Sequence, residues 1–230
     1  MLLTSKLWFP ALLSGGVWFP DPNLAVPSGP YAGLAALGGD FSVERLLLAY
    51  RSGLFPWTDE PITWWSPDPR AIFELDHFHV PTSLAKILKR GSFAVTIDHA
   101  FREVMEGCAE SRPGRGHTWV TKNFIEAYTR LHQLGHAHSL ECWMGGRLVG
   151  GIYGVAIGGF FAGESMFHRV DNASKVALAR LVEHLRARDY ALFDTQLLTP
   201  LTQRLGAINI PRREYLRRLA DALKLRRTFL

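Results

Sequence analysis

The sequence predicts a mixed α+β fold, in which a small, loop-rich N-terminal module precedes a larger domain of largely antiparallel sheet and packed helices. Three observations predict it. Nine of the 13 prolines fall within the first seventy residues, which favours turns over long regular elements. Ser139 to Tyr153 carries the alternation and the Gly-Gly turn of a hairpin. An amphipathic helix and a further strand follow that hairpin, an order that suits an α+β domain. With 230 residues, 47% of them hydrophobic, the chain can bury one good core and still hold an accessory domain. The division is expected at residues 1–70 and 71–230.

In the first module one helix stands out. Asp40 or Ser42 can cap it, Leu46, Leu47 and Tyr50 give it an apolar side, and Gly53 ends it before Phe55-Pro56-Trp57. The second module begins with an alternating run, Phe93 to Ile97, and a helix from Thr121 to Leu134 stopped by Gly135. Ser139 to Met144 and Arg147 to Tyr153 are the hairpin strands around Gly145-Gly146, and Gly159 to Glu164 extends the sheet. Leu178, Leu181, Val182 and Leu185 recur at i, i+3, i+4 and i+7, so Ala173 to Arg188 reads as a helix with that face on the sheet. Ala191 to Gln196 supplies another strand.

Composition disfavours several classes. Cys108 and Cys142 form no CxxC pair, which argues against a disulfide framework or zinc cluster and fits a reducing compartment. The opening Met1-Leu2-Leu3-Thr4-Ser5-Lys6 lacks the charged n-region of a signal peptide. The apolar run Leu148 to Ala162 is shorter than the roughly 20 residues of a membrane span. A cytoplasmic protein with no membrane partner is expected. Net charge is −4 over residues 1–80, +3 over 81–200 and +6 over 201–230. The basic end, including Arg204, Arg212, Arg213, Arg217, Arg218, Lys224, Arg226 and Arg227, either attracts a polyanion or solvates a helix face.

Asp194-Thr195-Gln196 closes a predicted strand. Strict alternation puts Asp194 and Gln196 on one face, with Phe193 and Thr195 on the other. A carboxylate beside an amide can orient an amine or polarise a carbonyl, although strand-end Asp and Gln more often bond to nearby turns. Glu164, a carboxylate in an apolar run, can recognise a cationic group or accept backbone N–H bonds. Gly163-Glu164-Ser165-Met166-Phe167 resembles a nucleophile elbow, but Phe167 stands where G-x-S-x-G needs glycine, so a serine hydrolase is disfavoured. His132, His136 and His138 cluster with Gly135 between them and no evident carboxylate or cysteine partner, so no metal is expected. Trp57, Trp64, Trp65 and Trp119 lie in polar or turn-rich surroundings where rings either pack in a core or stack on unpaired bases. Lys86, Lys89 and Arg90 suit phosphate contacts.

Several segments together resemble the bacterial leucyl/phenylalanyl-tRNA-protein transferase family: Gly33 to Asp40, Arg51 to Trp57, Trp64 to Arg70, His132 to Ser139, Gly163 to Phe167 and Asn172 to Lys175. They keep the family's order over about residues 30–215. The resemblance implies a GNAT-like acyltransferase domain after the small N-terminal one. It implies transfer of Leu or Phe, and less readily Met, from aminoacyl-tRNA to proteins that begin with Arg or Lys, which marks them for degradation. It places Asp194, Gln196 and Glu164 at the reacting centre. Ile152, Phe161, Gly163, Met166, Leu178, Leu181, Leu185 and Phe193 would hold the donor side chain, and Trp57, Trp119, Lys86, Lys89 and Arg90 the tRNA. An aminoacyl ester is already activated, so aminolysis needs neither ATP nor a metal; no cofactor and a monomeric enzyme are expected.

Some positions depart from the family's pattern. Thr195 replaces a cysteine, Leu201 a histidine, Arg204 a serine and Thr82 a common arginine. Thr195 is harmless if it points away from the site, whereas Leu201 and Arg204 bear on donor and acceptor preference. An acyl-CoA-dependent N-acyltransferase would need Q/R-x-x-G-x-G/A before a helix. Arg147-Leu148-Val149-Gly150-Gly151-Ile152 ends in Ile and enters a strand. A non-enzymatic RNA-binding module accounts for the basic end and the tryptophans, and leaves Asp194, Gln196 and Glu164 unexplained.

Overall fold

A computed structural model describes residues 9–110 and 118–230. The opening Met1 to Lys6 lies outside them. Strands β1 (Ala11–Leu13) and β2 (Leu34–Gly38) precede helix α1 (Val43–Arg51), and β3 (Phe55–Asp59) and β4 (Ile62–Trp65) follow it. These strands make a four-stranded sheet in the order β1-β2-β4-β3. Ser42 caps α1 through its hydroxyl, which accepts from the Arg45 N–H at 3.4 Å, while Asp40 accepts from the Ser42 N–H and braces the cap. Beyond the helix Gly53 turns at φ +79, where a Cβ would lie 2.5 Å from Leu216.

The second sheet begins with β5 (Arg70–Phe73), then come α2 (Thr82–Arg90), β6 (Ala94–Ile97), α3 (Phe101–Ala109) and α4 (Lys122–Gln133). The expected hairpin is β7 (Ala137–Met144) and β8 (Arg147–Ile157), followed by β9 (Phe160–His168), α5 (Ala173–Ala187), β10 (Leu192–Gln196), α6 (Pro200–Arg204), β11 (Ala207–Ile210) and α7 (Arg212–Leu223). Seven strands align as β11-β5-β10-β9-β8-β7-β6, antiparallel except for β9 with β10. The mixed α+β architecture is the one the sequence predicts, with β8 and β9 longer than their alternation suggested.

Helices cover both faces of this sheet. Leu178, Leu181, Val182 and Leu185 of α5 are all buried on one face, while Val104 of α3 and Phe124 and Tyr128 of α4 are buried on the other. Two adjacent glycines of β8 allow the close approach. A Cβ on Gly150 would sit 2.5 Å from Ala173 at the start of α5, and one on Gly151 2.9 Å from Val104 of α3. No helix among the described residues is long and apolar enough to cross a membrane.

Candidate active site

Two bulges bring the polar side chains together. Where β8 pairs with β9, Tyr153 stands opposite Ser165 and Gly154 opposite Gly163, leaving Glu164 as the extra residue. Where β5 pairs with β10, Ile72 stands opposite Asp194 and Ala71 opposite Gln196, leaving Thr195 extra. A bulge kinks its strand and re-aims the side chains around it. Pairing of β9 with β10 stops at Ala162 and Asp194, and just past that point Gln196 Nε2 donates to Glu164 Oε1 at 3.0 Å. Gln196 adopts φ +58, a left-handed conformation that costs a non-glycine residue about 1–3 kcal/mol.

Asp194 is fully buried. Its Oδ1 accepts from Arg70 Nε and from the Gln196 backbone N–H, each at 2.9 Å. Its Oδ2 accepts from Arg70 Nη2 at 2.6 Å and from the Tyr215 hydroxyl at 2.9 Å. Burial would lower the Arg70 pKa, but the Asp194 carboxylate, with Tyr215 and Glu164 adding to it, leaves the guanidinium raised. Both carboxylate oxygens of Asp194 are thus engaged inside the protein. The placing of Asp194 at the reacting centre beside Gln196 and Glu164 is corrected to this extent: Asp194 lies behind Gln196 and lines neither side of the cleft.

Glu164 does face the cleft. Burial, reinforced by the nearby Asp194 charge, pushes its carboxyl up to about 8, against the opposing pull of the Tyr50 and Tyr128 hydroxyls and of Arg70. Tyr50 of α1 and Tyr128 of α4 are hydrogen-bonded to each other through their hydroxyls. A carboxyl with this value is mostly protonated at neutral pH, which weakens the reading of Glu164 as a recogniser of cations. Because its folded value is raised above 4.5, its stabilising contribution is complete below pH 4.5 and is lost as the pH rises through about 8. Glu164→Gln is therefore expected to flatten the decline in unfolding free energy between pH 5 and pH 9, by on the order of a few kcal/mol in urea titrations. Parallel curves for the two proteins would contradict this.

The Glu164 and Gln196 pair stands where two lobes of one cleft meet. One lobe, about 210 Å³, is aliphatic along Ile152, Met166 and Leu178 and closed by the rings of Phe73 and Phe193. The other, about 220 Å³, is walled by Phe55, Pro56, Trp57 and Trp119. Glu164, Thr195, Gln196, Leu197 and Thr199 line both. Strict alternation fails here, since Thr195 opens onto the cleft and does not point away from it. The sheet thus presents an aliphatic lobe, an aromatic lobe and a carboxyl–amide pair between them.

Comparison with known proteins decides what this arrangement belongs to. A family model described as leucyl/phenylalanyl-tRNA protein transferase matches residues 72–220, and its N-terminal domain model matches residues 39–68. A leucyl/phenylalanyl-tRNA--protein transferase of Anaeromyxobacter sp. (strain Fw109-5) is 52% identical over 90% of this chain and 88% of its own. One of Shewanella sp. (strain W3-18-1) is 52% identical over 88% of this chain and 86% of its own. The chain belongs to the leucyl/phenylalanyl-tRNA protein transferase family. Among solved structures, L-PGS from Bacillus licheniformis aligns at TM-score 0.40 and 15% identity over 68% of this chain and about half (51%) of that one. A GCN5-related N-acetyltransferase from Kribbella flavida aligns at TM-score 0.38 and 12% identity, over 71% of this chain and 59% of that one.

In this transferase Ile152, Gly163, Met166, Leu178 and Phe193 line the aliphatic lobe together. Phe161, Leu181 and Leu185 do not: they are fully buried in the core behind it, Phe161 packing edge-on to Phe193. Trp57 and Trp119 line the aromatic lobe, whereas Trp64 is a core residue whose Nε1 donates to the Gly38 carbonyl. Lys86, Lys89 and Arg90 are exposed on α2. Leu201 packs on the core and lines, with Met166, a polar depression beside the aliphatic lobe; Arg204 donates to the Pro200 carbonyl.

The basic end is largely spent on internal pairs. Arg212 donates to the Ser66 carbonyl, Arg217 and Arg218 pair with Glu214, Arg218 also with Glu74, and Lys224 with Asp221. The histidine reading needs a correction too. Asp98, at φ +60, accepts the Ser139 N–H and bonds His138 Nδ1 at 2.6 Å, so a carboxylate does join His132 and His138. The nitrogens nearest it are already engaged, His132 Nδ1 with the Ala137 carbonyl at 2.8 Å and His138 Nδ1 with Asp98 itself.

Arg70, Tyr50, Tyr128 and Tyr215 received no role in the site from sequence. Arg70 carried a usable signal: a guanidinium opening the apolar strand Arg70-Ala71-Ile72-Phe73 has to be paired once buried. The tyrosines carried none, because each falls on a helix stripe that reads as core.

Proposed function

We propose that this aminoacyltransferase moves Leu or Phe, and less readily Met, from aminoacyl-tRNA to the N-terminal Arg or Lys of acceptor proteins, marking them for degradation. The reading rests on one observation: a carboxyl–amide pair at the junction of an aliphatic and an aromatic lobe. The aliphatic lobe suits the donor side chain, and the aromatic lobe suits stacking of the terminal adenosine by Trp57 and Trp119. The ester carbonyl then falls at Gln196 and Glu164. The acceptor α-amine has a reference pKa of about 7.7–8.0. Glu164, at about 8, is matched to it: its ionised form accepts the proton as the C–N bond forms and passes that proton to the ribose oxygen as the ester C–O bond breaks. Lys86, Lys89 and Arg90 contact tRNA phosphates. The enzyme works as a cytoplasmic monomer without a cofactor, from an N-terminal domain of residues 1–70 and a catalytic domain of residues 71–230.

Purified protein is expected to transfer radiolabelled Leu or Phe from charged tRNA to a protein beginning with Arg or Lys, with no ATP or CoA added. Absence of transfer by folded enzyme with fully charged tRNA would refute the proposal. Trp57→Ala is expected to raise KM for aminoacyl-tRNA about tenfold, from the loss of roughly 1–3 kcal/mol of stacking. A changed kcat at constant KM would move Trp57 from binding into catalysis.

A further inference from the structure

We propose that Arg70 and Tyr215 are positioning residues, which act through Asp194 to hold Gln196 in the conformation that aims its amide at Glu164. The proposal rests on the reading of the cleft as the reaction site. Neither side chain lines either lobe, and both are buried. Among the described residues, three of the four hydrogen bonds to the Asp194 carboxylate come from them: two from Arg70 and one from Tyr215. The fourth comes from the Gln196 backbone N–H, so the group that fixes Asp194 also fixes the left-handed turn at Gln196.

A carboxylate held on three sides cannot rotate to follow a relaxing backbone. Gln196 therefore stays at φ +58, a conformation it would leave if its N–H partner moved. Arg70 is itself over-determined. Its Nη1 donates to the Gly53 carbonyl, Nη2 also approaches the Tyr215 hydroxyl at 3.3 Å, and its guanidinium lies 4.8 Å from the Phe55 ring centre and 4.4 Å from that of Tyr215. Gly53 follows α1, which carries Tyr50, and Phe55 walls the aromatic lobe. The clamp therefore sets Gln196 relative to the lobe as well as to Glu164.

The test compares wild type, Arg70→Met and Tyr215→Phe by kinetics and by crystallography. The expected result is a kcat about tenfold lower in Tyr215→Phe and about a hundredfold lower in Arg70→Met, with KM for aminoacyl-tRNA unchanged. In the Arg70→Met crystal structure Gln196 is expected to leave the left-handed region and its bond to Glu164 to be lost. A merely structural clamp would lower the melting temperature but leave both kcat and the Gln196 conformation unaltered, and that result overturns the proposal. Should Arg70→Met fail to fold, Tyr215→Phe decides, because it removes only one hydroxyl; an unchanged kcat there overturns the proposal equally. A wild-type protein that transfers no amino acid would sink the reading of the cleft instead, and the Gln196 conformation in the variants would still judge the clamp.

Discussion

Glu164→Gln is expected to slow transfer by about 10²–10³-fold while KM for aminoacyl-tRNA stays within about twofold of wild type. The substitution keeps the shape of the side chain and an oxygen able to accept from Gln196 Nε2, so the junction of the lobes is preserved. What it removes is the one carboxyl, among the described residues, that faces both lobes. Its raised value, set by burial and the Asp194 charge, puts proton transfer from the amine near balance. The wild-type rate should accordingly climb with pH up to about 8, and the variant should show only the titration of the amine. Single-turnover rates across pH check both points. A variant with wild-type kcat would remove Glu164 from proton transfer.

Asp194→Ala is expected to cost about 3–5 kcal/mol of stability in addition to most of the activity, because it strands a buried guanidinium without its counter-charge. Transfer should fall far more than tRNA affinity, since Asp194 lines neither lobe. Urea unfolding separates the effects when Arg70→Met is combined with Asp194→Leu. Removing both charges should recover much of the stability, as buried ion pairs often exchange for apolar groups at little cost. Activity should not recover with it, because the Gln196 N–H then has no acceptor. Recovery of both together would mean that Asp194 matters for folding alone.

Local patterns in the sequence carried most of the fold. The Gly145-Gly146 hairpin, the apolar stripe of α5 and the stop at Gly135 each depend on neighbours within a few residues, and each formed close to where the pattern placed it. The site was only partly readable. Glu164 and Gln196 stood out as polar residues in or at the end of apolar runs, but their place at the reacting centre and the aliphatic lobe came from resemblance, and alternation misplaced Thr195, because a bulge is a property of two paired strands and leaves no mark on one of them. Asp194 was found but misread, since the partner that occupies it lies at Arg70, far away in the chain. Leu181 and Leu185 share the α5 stripe with Leu178, yet only Leu178, the nearest of the three to the start of the helix, reaches the lobe. The basic end was left between two readings that the sequence could have narrowed: Glu214 lies three and four residues before Arg217 and Arg218, the spacing of helical ion pairs.

A crystal structure with a stable amide analogue of 3′-leucyl-adenosine tests most directly whether the two lobes share one reacting centre. The expected result places the leucyl side chain among Ile152, Met166 and Leu178 and the adenine against Trp57 and Trp119. The carbonyl should lie within hydrogen-bond distance of Gln196 or Glu164, with Asp194 still closed behind Arg70. An analogue bound outside the cleft, or one whose carbonyl touches Asp194 directly, would contradict the account.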